Sequence, residues 1–298
     1  MGQPAPKSSS ELSDLLAKVS DIRTLPFVAV KVNELINDPN TSSSDIAEVL
    51  KKDQVLTAKV LRLVNSSYYA IPGGVADVQR ALAFLGFNTI AQLILSLSVF
   101  SVFTEFEHED FSLPQFWKHA LGAGFAAEIL ARRIKLPKPL KPEEAFTCGL
   151  LHDVGKLVMH EVDQPRFMEI VQQSRAQGAS FVEIERARDI PSHAYIGEVI
   201  ATRWGLPQVI RQAIRYHHHD VSKMDSILAS VKPMIQVVRL ANQLCVRQGV
   251  GQSGDCSKGE ISPDMLLCLK LSMADVAEVE VQLAQEINKA GALLNAYR

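Results

Sequence analysis

The chain of 298 residues lacks the features that mark several large classes of protein. Its four cysteines form no Cys-x-x-Cys pair, which argues against a disulfide framework or a zinc ribbon and favours reduced thiols. Its formal net charge is only -2, so no overall field attracts it to nucleic acid or to a membrane surface. The first ten residues are polar and contain no apolar signal core. These absences predict a cytoplasmic protein with no nucleic-acid partner and no membrane partner.

Long hydrophobic runs are also missing. The most apolar stretch, residues 90–103, is about 14 residues long and is interrupted by glutamine and serines, so it favours a buried core helix over a membrane span. Glycine and proline are sparse and cluster between segments with helical periodicity. Few stretches alternate β-branched and polar residues, as strands do. The pattern therefore predicts a protein that is nearly all helix.

Helix boundaries can be predicted where capping signals are present. Ser42 and Asp45 form a Ser-x-x-Asp start signal, and Ser112 with Pro114 starts another helix, with Gln115 in the capping-box position. Periodicity further predicts one continuous helix over residues 143–160. A long apolar helix is predicted over about residues 226–247, followed by a glycine-rich loop and two closing helices.

The segment from Gly149 to Lys156 carries the strongest chemical signal. It contains the adjacent pair His152 and Asp153, and an imidazole beside a carboxylate suits a divalent metal that prefers nitrogen and oxygen ligands. Lys156 follows one turn later and would lie on the same helix face, where its ammonium could hold a phosphate against a metal. The alternative is that His152 and Asp153 only hydrogen-bond each other and cap a helix.

Four further histidines fall on predicted helices: His119 in mid-helix, His193 at a helix start, and His217 and His218 at a helix end. Taken singly, each is typical of a structural histidine, and a histidine at a helix C-terminus interacts favourably with the helix dipole. Taken together, imidazoles and a carboxylate from successive helices are a common way to build a metal site inside a bundle.

The order His119, His152–Asp153, His193, His217–His218 resembles the HD superfamily of metal-dependent phosphohydrolases. It is most similar to the HDOD branch, the HD-related output domains of bacterial signalling proteins. HDOD-like motifs elsewhere are Leu25-Pro26, Ser44-Asp45-Ile46-Ala47, Lys52-Asp53-Gln54-Val55-Leu56, Leu61-Arg62-Leu63-Val64-Asn65-Ser66, Ala81-Leu82-Ala83-Phe84-Leu85-Gly86, Trp117-Lys118-His119 and Trp204-Gly205-Leu206-Pro207. The resemblance covers about residues 25–219.

The resemblance implies an all-α fold, an HD-like helical core with an N-terminal helical subdomain. We accordingly divide the chain into a leader and first helix (1–20), the N-terminal helical part of the HDOD domain (21–108), the HD-like helical core (109–248) and a C-terminal helical extension (249–298).

Three features of the sequence depart from the pattern of the enzymes of this superfamily. The resemblance implies a closing Asp ligand, but the matching position holds Asn242, which offers a carbonyl oxygen without a charge. Gln115 stands where dinuclear members have a Glu, and no Gly-Tyr-Pro segment follows His217–His218. These departures favour one divalent transition metal (Fe, Mn, Ni or Zn) over a pair. The candidate ligands are His119, His152, Asp153, His193, His217, His218 and Asn242.

Two functional hypotheses follow. The favoured one is a signal-transduction module that acts by binding a partner protein or a small phosphorylated ligand, without catalysis. The alternative is a metal-dependent phosphohydrolase, either a phosphodiesterase or a phosphomonoesterase, in which Asp153 orients a water and Lys156 holds the phosphate. Arg211 and Arg215 precede His218 by seven and three residues and are candidate phosphate ligands, although surface arginines are common.

Overall fold

The computed structural model describes residues 17–289, except positions 20, 39, 67, 104, 105, 222, 223, 225, 226 and 228. The predicted leader and most of the predicted first helix lie outside the described residues. Of that predicted first helix, residues 17–19 are described, and they are helical. Within the described residues the only β-structure is an isolated bridge between Glu107 and Ser112. The prediction of an all-α fold is confirmed.

The N-terminal part consists of three short helices packed on one long helix. They are α1 Phe27–Asn37, α2 Ser43–Leu50, α3 Gln54–Val64 and α4 Val78–Phe100. The predicted capping box at α2 is confirmed, with the Ser42 backbone N donating to Asp45 at 2.8 Å. Asp53 caps α3 by accepting from Leu56 N at 2.9 Å. These caps satisfy orphan amides where each helix begins.

Helix α4 bends at Gly86, whose φ of 80° lies in the region that favours glycine. Beyond the bend, residues 90–100 are buried on all sides. By length and composition α4 could cross a membrane, yet 61% of its most apolar window is covered by the rest of the protein. The predicted core helix is therefore confirmed over residues 90–100, and the chain turns at 101–103.

Seven helices form the central part. They are α5 Leu113–Arg133, α6 Pro142–Leu151, α7 Val154–Val162, α8 Gln164–Gln177, α9 Phe181–Ala187, α10 His193–Arg203 and α11 Gln208–Tyr216. Helix α5 packs along α6, and α7 packs against α10. Ser112 and Pro114 start α5 as predicted, but Ser112 makes no side-chain capping bond, so the predicted capping box with Gln115 is wrong.

The predicted single helix over residues 143–160 is also wrong. It is broken into α6 and α7 by a turn at His152 and Asp153, where Asp153 has φ -100° and ψ 11°. Periodicity did not reveal the break, because both helices bury an apolar face. The apolar residues continue from one helix to the next without an interruption in the sequence pattern.

Three helices complete the described chain: α12 Lys232–Gln248, α13 Pro263–Leu269 and α14 Met273–Lys289. The long apolar helix starts at Lys232, with Pro233 in its first turn, rather than near residue 226 as predicted. Helix α12 packs on α5 and α6, and α14 packs on α5, where Arg133 pairs with Asp275 at 2.8 Å. One hydrophobic cluster extends from Val19 to Leu283, so the N-terminal, central and C-terminal parts share a core.

Candidate metal centre

Asp153 lies at the centre of the predicted constellation and is fully buried. Its Oδ2 is 3.3 Å from His152 Nε2 and 4.0 Å from His119 Nε2. Its Oδ1 is 3.2 Å from His193 Nε2 and 3.4 Å from His217 Nε2. The carboxylate therefore joins two sets of potential ligands, one on each oxygen.

His218 belongs to the second set, since its Nε2 is 3.0 Å from His193 Nε2. The two sets that could hold an ion are thus His119, His152 and Asp153, and Asp153, His193, His217 and His218. The structure brings together six of the seven predicted metal ligands.

The turn between α6 and α7 explains how two adjacent residues reach one site. In a continuous helix, neighbouring side chains point about 100° apart, so His152 and Asp153 could not both face the same point. Beyond the turn, α7 packs closely on α10. A Cβ at Gly155 would lie 1.9 Å from the His193 carbonyl oxygen, so only glycine fits there.

Hydrogen bonds on the far side of the rings set the tautomers. The Nδ1 of His152 donates to Gly149 O at 2.6 Å, and the Nδ1 of His217 donates to Ile214 O at 2.8 Å. Each Nε2 therefore carries a lone pair directed towards Asp153, as in metal-bound histidines. Within the described part of the chain, the buried Nε2 atoms of His119 and His152 have no hydrogen-bond partner. Buried atoms left unpaired in this way fit a metal ion that would satisfy them.

Glu185 completes the support for His193, and the sequence analysis missed it. This fully buried carboxylate accepts from His193 Nδ1 at 2.9 and 3.0 Å and from the His193 backbone N at 2.6 Å. Its burial could have been inferred from its position four residues after Phe181, which places both side chains on the buried face of α9.

Lys156 is held between two carboxylates. Its Nζ is 2.8 Å from Asp153 Oδ2 and 2.6 Å from Asp255 Oδ2, and its side chain is 0% exposed. Both of these contacts pair the Lys156 ammonium with side chains of the protein, and its phosphate-binding role stays a prediction. Asp255, in the glycine-rich loop after α12, was also missed, because an irregular loop carries no periodic signal.

Burial and neighbouring charges move the pKa values in different directions. Burial lowers the pKa of His119 and of His217 to about 4, so both imidazoles are neutral at neutral pH. Burial also opposes charge on His193, but Glu185 and Asp153 outweigh it and raise the pKa of His193 to about 9. Despite burial, His152 and Lys156 hold the pKa of Asp153 well below its usual range. A metal would therefore displace a proton from His193.

The remaining predicted residues are less closely tied to the centre. Asn242 is buried on α12, and its Oδ1 lacks a hydrogen-bond partner within the described residues. Its role as a ligand stays a prediction. Arg215 pairs with Glu198 at 3.2 Å, and its guanidinium lies 4.9 Å from the Tyr195 ring centroid. Phosphate binding by Arg211 and Arg215 likewise stays a prediction.

A cavity of about 150 Å³ lies beside the centre. His119 and Asp255 line it, together with Cys245 of α12 and residues 249–256 of the following loop. This cavity gives His119 open space on one side.

An all-α fold with histidines from four segments around one buried His-Asp carboxylate defines an HD-type helical protein. A sequence model of the HDOD domain matches residues 22–220, and the chain belongs to this family.

The chain is also similar to three further proteins of known sequence or structure. An uncharacterized protein of Treponema pallidum (strain Nichols) is 26% identical over 236 residues, which are 76% of this chain but only 42% of that protein's length. A Marinobacter aquaeolei VT8 protein named for signal transduction superimposes with a TM-score of 0.81 at 22% identity, covering 97% of this chain and 65% of the other. A Shewanella amazonensis SB2B protein named as a phosphohydrolase gives a TM-score of 0.72 at 23% identity, covering 95% and 98%. At such identities the two structures show a shared fold.

Proposed function

We propose that this protein is a signal-transduction module that binds one divalent transition metal around Asp153. It acts by contact with a partner protein or a small phosphorylated ligand, without catalysis. The observation that carries the proposal is the position of Lys156, buried and neutralised by Asp153 and Asp255. The ammonium nearest the metal ligands is therefore paired with carboxylates of the protein rather than with a substrate.

Metal binding is supported by the charge buried around the centre. Asp153, Glu185 and Asp255 contribute three negative charges and Lys156 one positive charge, all on side chains that are at most 4% exposed. Without metal, the raised pKa of His193 keeps that imidazole protonated and the net charge is -1; when a metal displaces this proton, the net charge of the side chains becomes -2. A buried charge of this size is costly unless it is paired, and one divalent ion would neutralise it. Imidazole-rich sites with a carboxylate suit Fe, Mn, Ni or Zn.

The absence of catalysis is supported by the small volume of the cavity beside the centre, as well as by the pairing of Lys156. The cavity of about 150 Å³ is about half the lower limit of about 300 Å³ for pockets that hold drug-sized ligands. A whole nucleotide therefore exceeds the volume of this partly open cavity.

The second candidate function is a metal-dependent phosphohydrolase. It is favoured by Asp153, whose two oxygens face two separate ligand sets, as a carboxylate between two metal ions would. It is also consistent with the name of the Shewanella neighbour. A bound divalent ion would supply Lewis-acid activation of a phosphate ester. The side chains of this chain would hold the ion and orient the ester.

Metal content and hydrolysis of model esters distinguish the two functions. Wild type, His152→Ala and the control His160→Ala are expressed in medium supplemented with Fe, Mn, Ni and Zn, and bound metal is measured by mass spectrometry. His160 is a matched control because it stacks on Phe106, with ring centroids 3.7 Å apart, outside the ligand sets.

We expect about one metal per wild-type and His160→Ala chain, much less in His152→Ala, and no turnover of p-nitrophenyl phosphate or its bis ester. Turnover that disappears in His152→Ala and persists in His160→Ala would establish the hydrolase instead. Wild type free of metal after supplementation would refute metal binding in both proposals.

A further inference from the structure

We propose that Asp255 determines the size of molecule that reaches the centre, because it holds the strap, residues 249–256, closed over the cavity. Only the description of the site beneath the strap as a metal centre rests on the proposed function. The closure involves side chains and backbone present in the protein without metal. The strap lies beyond residue 220, where the match to the HDOD domain ends.

The strap follows α12 and is fixed at several points by backbone hydrogen bonds. Gln252 N donates to Gln115 O at 3.0 Å, and Cys256 N donates to Ala179 O at 3.2 Å. Gly251, with φ 63°, passes so close to α5 that a Cβ would lie 2.3 Å from Gln115 O and 2.4 Å from His119 N. The strap therefore rests directly on the helix that carries His119.

Asp255 makes the charged contacts of the strap. Its Oδ2 accepts from Lys156 Nζ at 2.6 Å and from Ser253 Oγ at 3.1 Å, and its Oδ1 accepts from Phe181 N at 2.7 Å. The side chain is 4% exposed. Removing one partner of a buried ion pair is strongly unfavourable, so the strap is expected to open far less readily while Asp255 is in place.

The cavity is partly open to solvent, and its volume sets the size of molecule that fits beneath the strap. A volume of about 150 Å³ corresponds to about five water molecules in the liquid. His119, at 1% exposure, borders this space, and Arg175, whose side chain is 60% exposed, borders it on the solvent side. Water and an anion of the size of phosphate fit in it. We expect a larger ligand to reach His119 only when the strap moves and Lys156 loses its contact with Asp255.

Three cysteines allow a test on metal-free protein. Cys245 is buried and lines the cavity, Cys148 is buried in α6 away from it, and Cys256 is exposed on the strap. Metal-free wild type, Asp255→Asn and Glu260→Gln are treated with iodoacetamide and, separately, with fluorescein maleimide. Modification of each cysteine is followed by peptide mass spectrometry. Glu260→Gln makes the same charge change at an exposed position after the strap.

In wild type and Glu260→Gln we expect Cys256 to react with both reagents and Cys245 to be protected, most strongly from fluorescein maleimide. In Asp255→Asn, Cys245 should react at least about tenfold faster, the effect of a 1.4 kcal/mol lower cost of opening, while Cys148 stays protected. Gly251→Ala, which displaces the strap without changing charge, should also expose Cys245 selectively.

Two results would overturn the proposal. One is an equal rate at Cys245 in Asp255→Asn and Glu260→Gln. The other is a parallel rise at Cys148, which would mean that Asp255 supports the whole fold rather than the strap. Since no metal is added, failure of metal binding would leave these results unaffected.

Discussion

Replacing Glu185 with glutamine removes a charge from behind His193 while keeping nearly the same shape. The carboxylate accepts three hydrogen bonds from His193, and it is the main reason that the pKa of this histidine rises to about 9 in spite of burial. A change from 6.5 to about 9 corresponds to about 3 kcal/mol in favour of the charged imidazole. In Glu185→Gln we expect loss of about 2–4 kcal/mol of unfolding free energy in metal-free protein at pH 6, because a buried charge loses its partner.

The sign of the pH dependence follows from the raised pKa. The stability contributed by the pair is fully present below pH 6.5 and is lost as the pH rises through about 9. The difference between wild type and variant should therefore be largest near pH 6 and shrink above pH 9. Metal affinity should fall about 10- to 100-fold, the usual effect of removing a carboxylate behind a metal-bound histidine.

Urea unfolding at pH 6 and pH 9.5, with calorimetric titration of Zn²⁺, measures both effects. The control is Glu183→Gln on the same helix, where the capping box with Ser180 tolerates glutamine, so its change should stay within about 0.5 kcal/mol. If Glu185→Gln and Glu183→Gln behave alike in unfolding and in titration, Glu185 does not position His193 and the reasoning is wrong.

Three further changes have defined outcomes. Metal-free protein should lose stability as the pH falls from 6.5 to 4, by up to about 3 kcal/mol for each of His119 and His217. Their pKa values are lowered to about 4 by burial, so the unfolded chain takes up protons first, and thermal melts across this range measure the loss. Gly155→Ala should abolish soluble folded protein, since its Cβ would meet the His193 carbonyl at 1.9 Å; a stable variant by circular dichroism would contradict the packing of α7 on α10. Asn242→Asp should lower the melting temperature without metal and raise Zn²⁺ affinity by titration, because it adds a buried negative charge; unchanged affinity would exclude this position from the ligand shell.

The helices and the clustered histidines could be predicted from the sequence because both depend on regular spacing. Apolar periodicity located α4 and α5, and His152–Asp153 with the other histidines suggested a shared site. The turn at His152–Asp153 could not be predicted, because the apolar pattern continues through it. Only the requirement that both side chains reach one point favours a break.

Glu185 and Asp255 show why the surroundings of the site were missed. Each is an ordinary acidic residue in sequence, 32 and 102 positions from Asp153, and its burial results from tertiary packing. The second carboxylate beside Lys156 was missed for the same reason, since it comes from a loop that no motif identifies. Local sequence reports which face a helix buries, but not which distant loop covers it.

The position of α12 and the strap has a practical consequence for anyone who trims the chain to the matched domain. A protein ending at residue 220 would keep every histidine of the centre, and sequence comparison would judge it complete. It would nevertheless uncover the apolar surface of α5 and α6 and leave Lys156 with Asp153 as its single anionic neighbour. Such a fragment should aggregate during expression, so insolubility there would reveal nothing about the activity of the full chain.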